Sequence, residues 1–77
     1  MSGEAGQLVK MADDIARFFA ADPDQSAAIE GVVGHIQKFW DPRMRRKLVA
    51  HWQRHPNDLS PLAAAAAERL AHSTTAA

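Results

Sequence analysis

The side chains of this sequence that could do chemistry are its four histidines, nine carboxylates and a few serines. His51 and His55 stand four apart on one predicted helix, a spacing that lets two imidazoles meet one metal ion. There is no cysteine, no nearby carboxylate is read as a third ligand, and His55 falls in the last turn before Pro56, so the pair reads as solvated histidines. His35 falls beside the apolar face of its predicted helix and reads as a hydrogen-bonded histidine at a contact surface. Ser2, Ser26, Ser60 and Ser73 sit at predicted caps, first turns or termini, with no base positioned to activate them. Asp13 and Asp14 are adjacent on a helix and therefore point about 100° apart, which makes a solvated polar face rather than a carboxylate dyad. No glycine-rich phosphate loop occurs. The expectation is a chain with no catalytic activity and no catalytic, cofactor-binding or metal-ligating residue of its own.

A different constellation stands out in Phe39-Trp40-Asp41-Pro42-Arg43-Met44-Arg45-Arg46-Lys47. As pure structure, two aromatics end one helix in the core, Asp41 and Pro42 start the next, and the cations face water. As function, aromatic and arginine side chains around a rigid corner are the types enriched at interface hot spots. Phe18, Phe19, Phe39, Trp40 and Trp52 are many large groups to hide in so short a chain, which favours partner contact. The predicted partner-binding residues are Phe18, Phe19, His35, Phe39, Trp40, Asp41, Pro42, Arg43, Met44 and Arg45. The alternative is a helical nucleic-acid module using the basic 38–54 segment, with Asp41-Pro42 as the turn between two helices. Zero net charge and the lack of base-reading Asn, Gln, Ser or Thr at the start of that helix weigh against it.

The elements that must position these residues are marked by punctuation. Asp22-Pro23, Asp41-Pro42 and Ser60-Pro61 each combine an N-cap residue with a proline suited to the first helical position. Gln25 falls at the capping-box position after Asp22, and Leu59 is placed to staple against Ala64. Between these marks the apolar residues recur at three and four: Leu8, Met11, Ala12, Ile15, Phe18 and Phe19, then Ile29, Val32, Val33, Ile36, Phe39 and Trp40. A narrower stripe joins Met44, Leu48 and Trp52, and another joins Leu62, Ala66 and Leu70 within the run Ala63 to Ala67. Alanine forms helix well but buries little, so the last helix is expected to pack weakly. Gly31 and Gly34 interrupt the second helix and suit a close approach by another. The expected fold is all-α, a small bundle of four short helices with proline-marked N-termini. Residues 7–72 form the domain, with flexible ends at 1–6 and 73–77.

Length bounds the rest. At 77 residues the chain holds one core, and a domain of this size buries only about 60% of its unfolded surface. Without cysteine, no disulfide, thiolate zinc site or iron–sulfur centre staples it. The first residues lack the basic start and apolar stretch of a signal peptide, and no apolar run nears the roughly 20 residues of a membrane span. The chain reads as soluble and cytoplasmic. Its charges are polarised: Glu4, Asp13, Asp14, Asp22, Asp24 and Glu30 face Lys10 and Arg17 in the first half, and Lys38, Arg43, Arg45, Arg46, Lys47 and Arg54 face Asp41 in the segment that follows. Such asymmetry bears on how a protein meets a partner.

The helix Leu8-Val9-Lys10-Met11-Ala12-Asp13-Asp14-Ile15-Ala16-Arg17-Phe18-Phe19, followed by His35-Ile36-Gln37-Lys38-Phe39-Trp40-Asp41-Pro42-Arg43-Met44-Arg45, resembles the delta subunit of NAD-dependent formate dehydrogenases. The likeness runs from about Leu8 to Leu70, and its most specific part is Phe-Trp-Asp-Pro-Arg-Met. It departs at Asp13-Asp14, where the family often carries Asn-Gln, and it is loose from Leu59 onward. The resemblance implies a cytoplasmic bacterial complex that interconverts formate and carbon dioxide with NAD. Its larger subunits would carry a molybdenum or tungsten pterin centre, iron–sulfur clusters and FMN. They would be the partners of this chain, the catalytic pterin-binding subunit foremost. The resemblance implies no catalytic residue here, and a role in assembly, cofactor insertion or stability of the complex.

Overall fold

A computed structural model describes the chain from residue 3 to residue 75 and shows four α-helices: α1 (Gly3–Phe19), α2 (Gln25–Phe39), α3 (Pro42–Arg54) and α4 (Pro61–Thr75). One short 3-10 turn, Pro56–Asp58, joins α3 to α4, and there is no strand among the described residues. The expected all-α bundle is what forms. Helix α1 starts inside the stretch expected to be a flexible N-terminus, and α4 runs past residue 72; residues 1–2 and 76–77 lie outside the described residues.

Two of the three proline marks cap as expected. Asp41 Oδ1 accepts from the Met44 amide at 2.9 Å with Pro42 opening α3, and Ser60 Oγ accepts from the Ala63 amide at 3.3 Å with Pro61 opening α4. The third mark is shifted. The N-cap of α2 is Asp24, not Asp22, and its Oδ1 accepts from Ser26 and Ala27 at 3.0 and 3.4 Å. Asp22 instead takes the amide of Asp24 at 2.9 Å, closing an Asx turn around Pro23. Proline fits that turn as well as it fits a helix start, and Gln25 becomes the first helical residue rather than a capping-box partner.

Helices α1 and α4 each pack against both α2 and α3. The core joins Leu8, Ala12 and Ala16 of α1, Val32, Val33 and Ile36 of α2, Trp40, Leu48 of α3, and Leu59 with Ala63, Ala66, Ala67 and Leu70 near or on α4. The expectation that α4 packs weakly fails. Ala63, Ala66 and Ala67 are all at most 1% exposed, because small side chains let the neighbouring backbones close over them. The radius of gyration is 11.3 Å, matching the roughly 11.5 Å of a compact domain of this length. The core therefore closes within the chain itself.

Candidate partner-docking face

The corner between α2 and α3 divides its residues into two groups. Trp40 is only 5% exposed and packs in the core, while also bordering the groove between α1, α2 and the start of α3. Asp41 and Pro42 are spent on starting α3. The Arg45 guanidinium Nη1 donates to the Gln37 carbonyl at 3.0 Å, satisfying one of the carbonyls that the end of α2 leaves open. These four side chains brace the corner. Phe19 is also used internally: its ring lies over Gly31, where a Cβ would fall 2.4 Å from Cδ1 and 2.5 Å from Cε1. The close approach expected at the α2 glycines is thus made at Gly31 by an aromatic ring, whereas Gly34 meets nothing within 4 Å.

Of the remaining predicted residues, His35, Phe39 and Met44 line one open groove. Phe39 is 66% exposed and Phe18 75%, the two large apolar side chains left in water. Between α1, α2 and the start of α3 runs a groove of about 470 Å³ lined by Met11, Asp14, Ile15, His35, Phe39, Trp40 and Met44. His35 stacks on Phe39 with ring centroids 4.7 Å apart. Phe18 sits one turn beyond Asp14 and Ile15 on the same side of α1, and its ring meets Phe19 edge-on at 5.1 Å. Met11, Asp14 and Ile15 belong to this face, although the sequence reading singles out only His35, the corner and the paired phenylalanines. The spacing of Met11, Ile15 and Phe18 is the signal in the sequence: it marks a second apolar stripe beside the Leu8, Ala12, Ala16 core stripe, with Asp14 at its edge.

Elsewhere several titratable groups help to hold the fold. Asp13 is not a solvated acid: its Oδ1 accepts from the Ser60 amide at 3.0 Å, tying α1 to the start of α4. His51 does have a nearby carboxylate, Asp58, 2.9 Å away across the short 3-10 turn, and His55 stacks at 5.2 Å. No group of three or more His, Cys, Asp or Glu side chains is placed to hold a metal ion among the described residues. Lys47 pairs with Glu4 at 2.5 Å, and Arg69 pairs with Glu30. The hydrogen bond and charge of Lys47 hold the Glu4 carboxyl below its ordinary range. A second cleft, of about 500 Å³, lies between the end of α1 and the start of α4. Its carboxylates Asp13 and Asp22 are occupied by the backbone amides of Ser60 and Asp24. No helix among the described residues is long and apolar enough to cross a membrane.

Comparison with curated proteins and with solved structures gives no match. Comparison with family models gives one that covers residues 7–67, described as the NADH-dependent formate dehydrogenase delta subunit, FdsD. That span takes in all of α1 from Gln7, the α2–α3 corner and the first half of α4, so it contains every residue of the face. The chain belongs to the FdsD family, the delta subunits of NADH-dependent formate dehydrogenase.

Proposed function

We propose that this chain is a non-catalytic accessory subunit that docks on the larger subunits of a cytoplasmic formate dehydrogenase through its Phe18–Phe39 face. In this role it supports assembly, cofactor loading or stability of the complex. The catalytic pterin-binding subunit is the favoured partner, and the molybdenum or tungsten pterin, iron–sulfur clusters, FMN and NAD belong to the partners. The observation that carries the reading is the contrast between a closed core and two phenylalanines left in water, Phe39 on the groove and Phe18 one turn beyond Asp14 and Ile15. The core does not need them, so their apolar area is available to a second chain. What the chain can do for the enzyme then follows from binding alone: it stabilises whichever partner conformation it prefers, by mass action.

The test compares complexes produced with and without this chain. Formate-dependent NAD reduction, normalised to bound metal, should be unchanged, while the yield of metal-loaded complex or its resistance to dissociation falls. Loss of normalised turnover at unchanged metal, cluster and subunit content would place residues of this chain in catalysis or electron transfer and contradict the reading.

A further inference from the structure

We infer that the outer face of α3 is a second docking surface, a stripe of arginines that takes a carboxylate-bearing surface of the larger subunits. This rests on the docking reading and adds a second contact to it, since Arg43, Arg46 and Arg54 do not line the Phe39 groove. Helix α3 carries Arg43, Arg45, Arg46, Lys47 and Arg54 and no carboxylate. Arg45 and Lys47 are used inside the chain, the first on the Gln37 carbonyl and the second on Glu4. Arg43, Arg46 and Arg54 are exposed and form no ion pair among the described residues.

Spacing puts these arginines on one line. Arg43, Arg46, Ala50 and Arg54 follow one another at steps of three and four, so they share the side of α3 turned away from buried Leu48 and core-packed Trp52. At a rise of about 1.5 Å per residue the stripe runs roughly 16 Å from Arg43 to Arg54. Ala50 and Gln53, exposed between them, carry no charge to offset theirs. Glu4 feels the charge of Arg43 but is already bonded to Lys47. A guanidinium pairs with carboxylates through a planar fork and is more weakly hydrated than an ammonium, which suits it to an interface. The stripe is also finite. Asp41 caps the start of α3, and Asp58 follows its end in the 3-10 turn, paired with His51. A nucleic-acid backbone is charged along its whole length and would run on to those acids at either end, whereas a folded partner can offer a carboxylate patch of matching extent.

The experiment measures association and dissociation rates of the full chain with formate dehydrogenase large subunits produced without it, at low and high ionic strength. Arg43→Glu, Arg46→Glu and Arg54→Glu together should slow association about tenfold at low salt and flatten its salt dependence, because complementary charge acts chiefly on encounter. Lysine at the same three positions should keep the salt dependence. Phe39→Ala should speed dissociation and keep it too. Arg46→Glu alone should slow association more than Lys10→Glu, which makes the same change of net charge at an exposed site on α1. Equal slowing by these two would mean that net charge acts without a docking stripe, and would overturn the inference. If the triple reversal binds like wild type while Phe39→Ala weakens binding, the docking reading stands and the α3 contact is lost. If wild-type chain does not bind the large subunits at all, the docking reading itself falls, and the second contact with it. Duplex DNA binding by the chain, abolished in the triple reversal, would name a different occupant and overturn the inference.

Discussion

Phe39 and Trp40 are neighbours in sequence with opposite duties, and their separation decides what each substitution should do. Trp40 fills the core at the end of α2, whereas Phe39 stands two-thirds exposed on the groove. Trp40→Ala should cost about 3–5 kcal/mol of folding stability, a large part of what so small a domain has. Phe39→Ala should change stability by no more than about 0.5 kcal/mol, as at other exposed positions, and act instead on complex formation. Thermal unfolding of the two isolated variants, followed by circular dichroism, checks the contrast. Equal destabilisation would mean that Phe39 is also core. From sequence the two could not be told apart, because both end the same apolar period. Only the break of helix geometry after Phe39, with Trp40 in extended conformation at the C-cap, turns the second ring inward.

At the scale of the helices, caps and small residues set the geometry. Asp41 and Ser60 were legible as caps because each precedes a proline at a true first helical position. The α2 start was misplaced by two residues because Asp22-Pro23-Asp24 offers two caps and the Asx turn selects the later one. The core stripes of α1 and α2 were legible from periodicity. The burial of α4 was not, since alanine's small area conceals how closely it lets helices approach. Neither the Asp13–Ser60 bond nor the His51–Asp58 pair was legible, since one is long-range and the other forms only when the chain folds back at Pro56. The two α2 glycines give a paired prediction. Gly34→Ala, with open space around it, should stabilise the chain by about 0.5–1 kcal/mol through helix propensity. Gly31→Ala should destabilise it, because the Phe19 ring occupies the place of the new methyl group. Urea unfolding of both variants tests this, and stabilisation by both would show that the Phe19 ring moves aside freely. Asp13 adds a third case: Asp13→Ala removes the acceptor for the Ser60 amide and should cost about 1 kcal/mol, while Asp13→Asn keeps an acceptor and should cost less. Similar losses in both would mean that the charge, not the hydrogen bond, is what matters there.

As a whole molecule the chain is a closed four-helix core with one uncovered aromatic groove, with the Lys38 ammonium beside its Phe39 ring. Polarised charge along the sequence is partly cancelled in space, since Glu4 at the start of α1 reaches Lys47 on α3. Family membership was legible because the most specific stretch, Phe39 to Met44, is the corner that both closes the core and shapes the groove. The residues that do each job were not separable until the helices were assembled. The central claim is that this face is where the chain meets the larger formate dehydrogenase subunits, and the most direct measurement replaces its two exposed phenylalanines, Phe39 on the groove and Phe18 one turn beyond Asp14 and Ile15. A chain carrying Phe18→Asp and Phe39→Asp should keep its helical content, and its melting temperature should stay within a few degrees of wild type. When produced together with the large subunits, it should be missing from the purified complex. Recovery of that variant in the complex at wild-type stoichiometry would contradict the account, because it would mean that the partner is held by some other face.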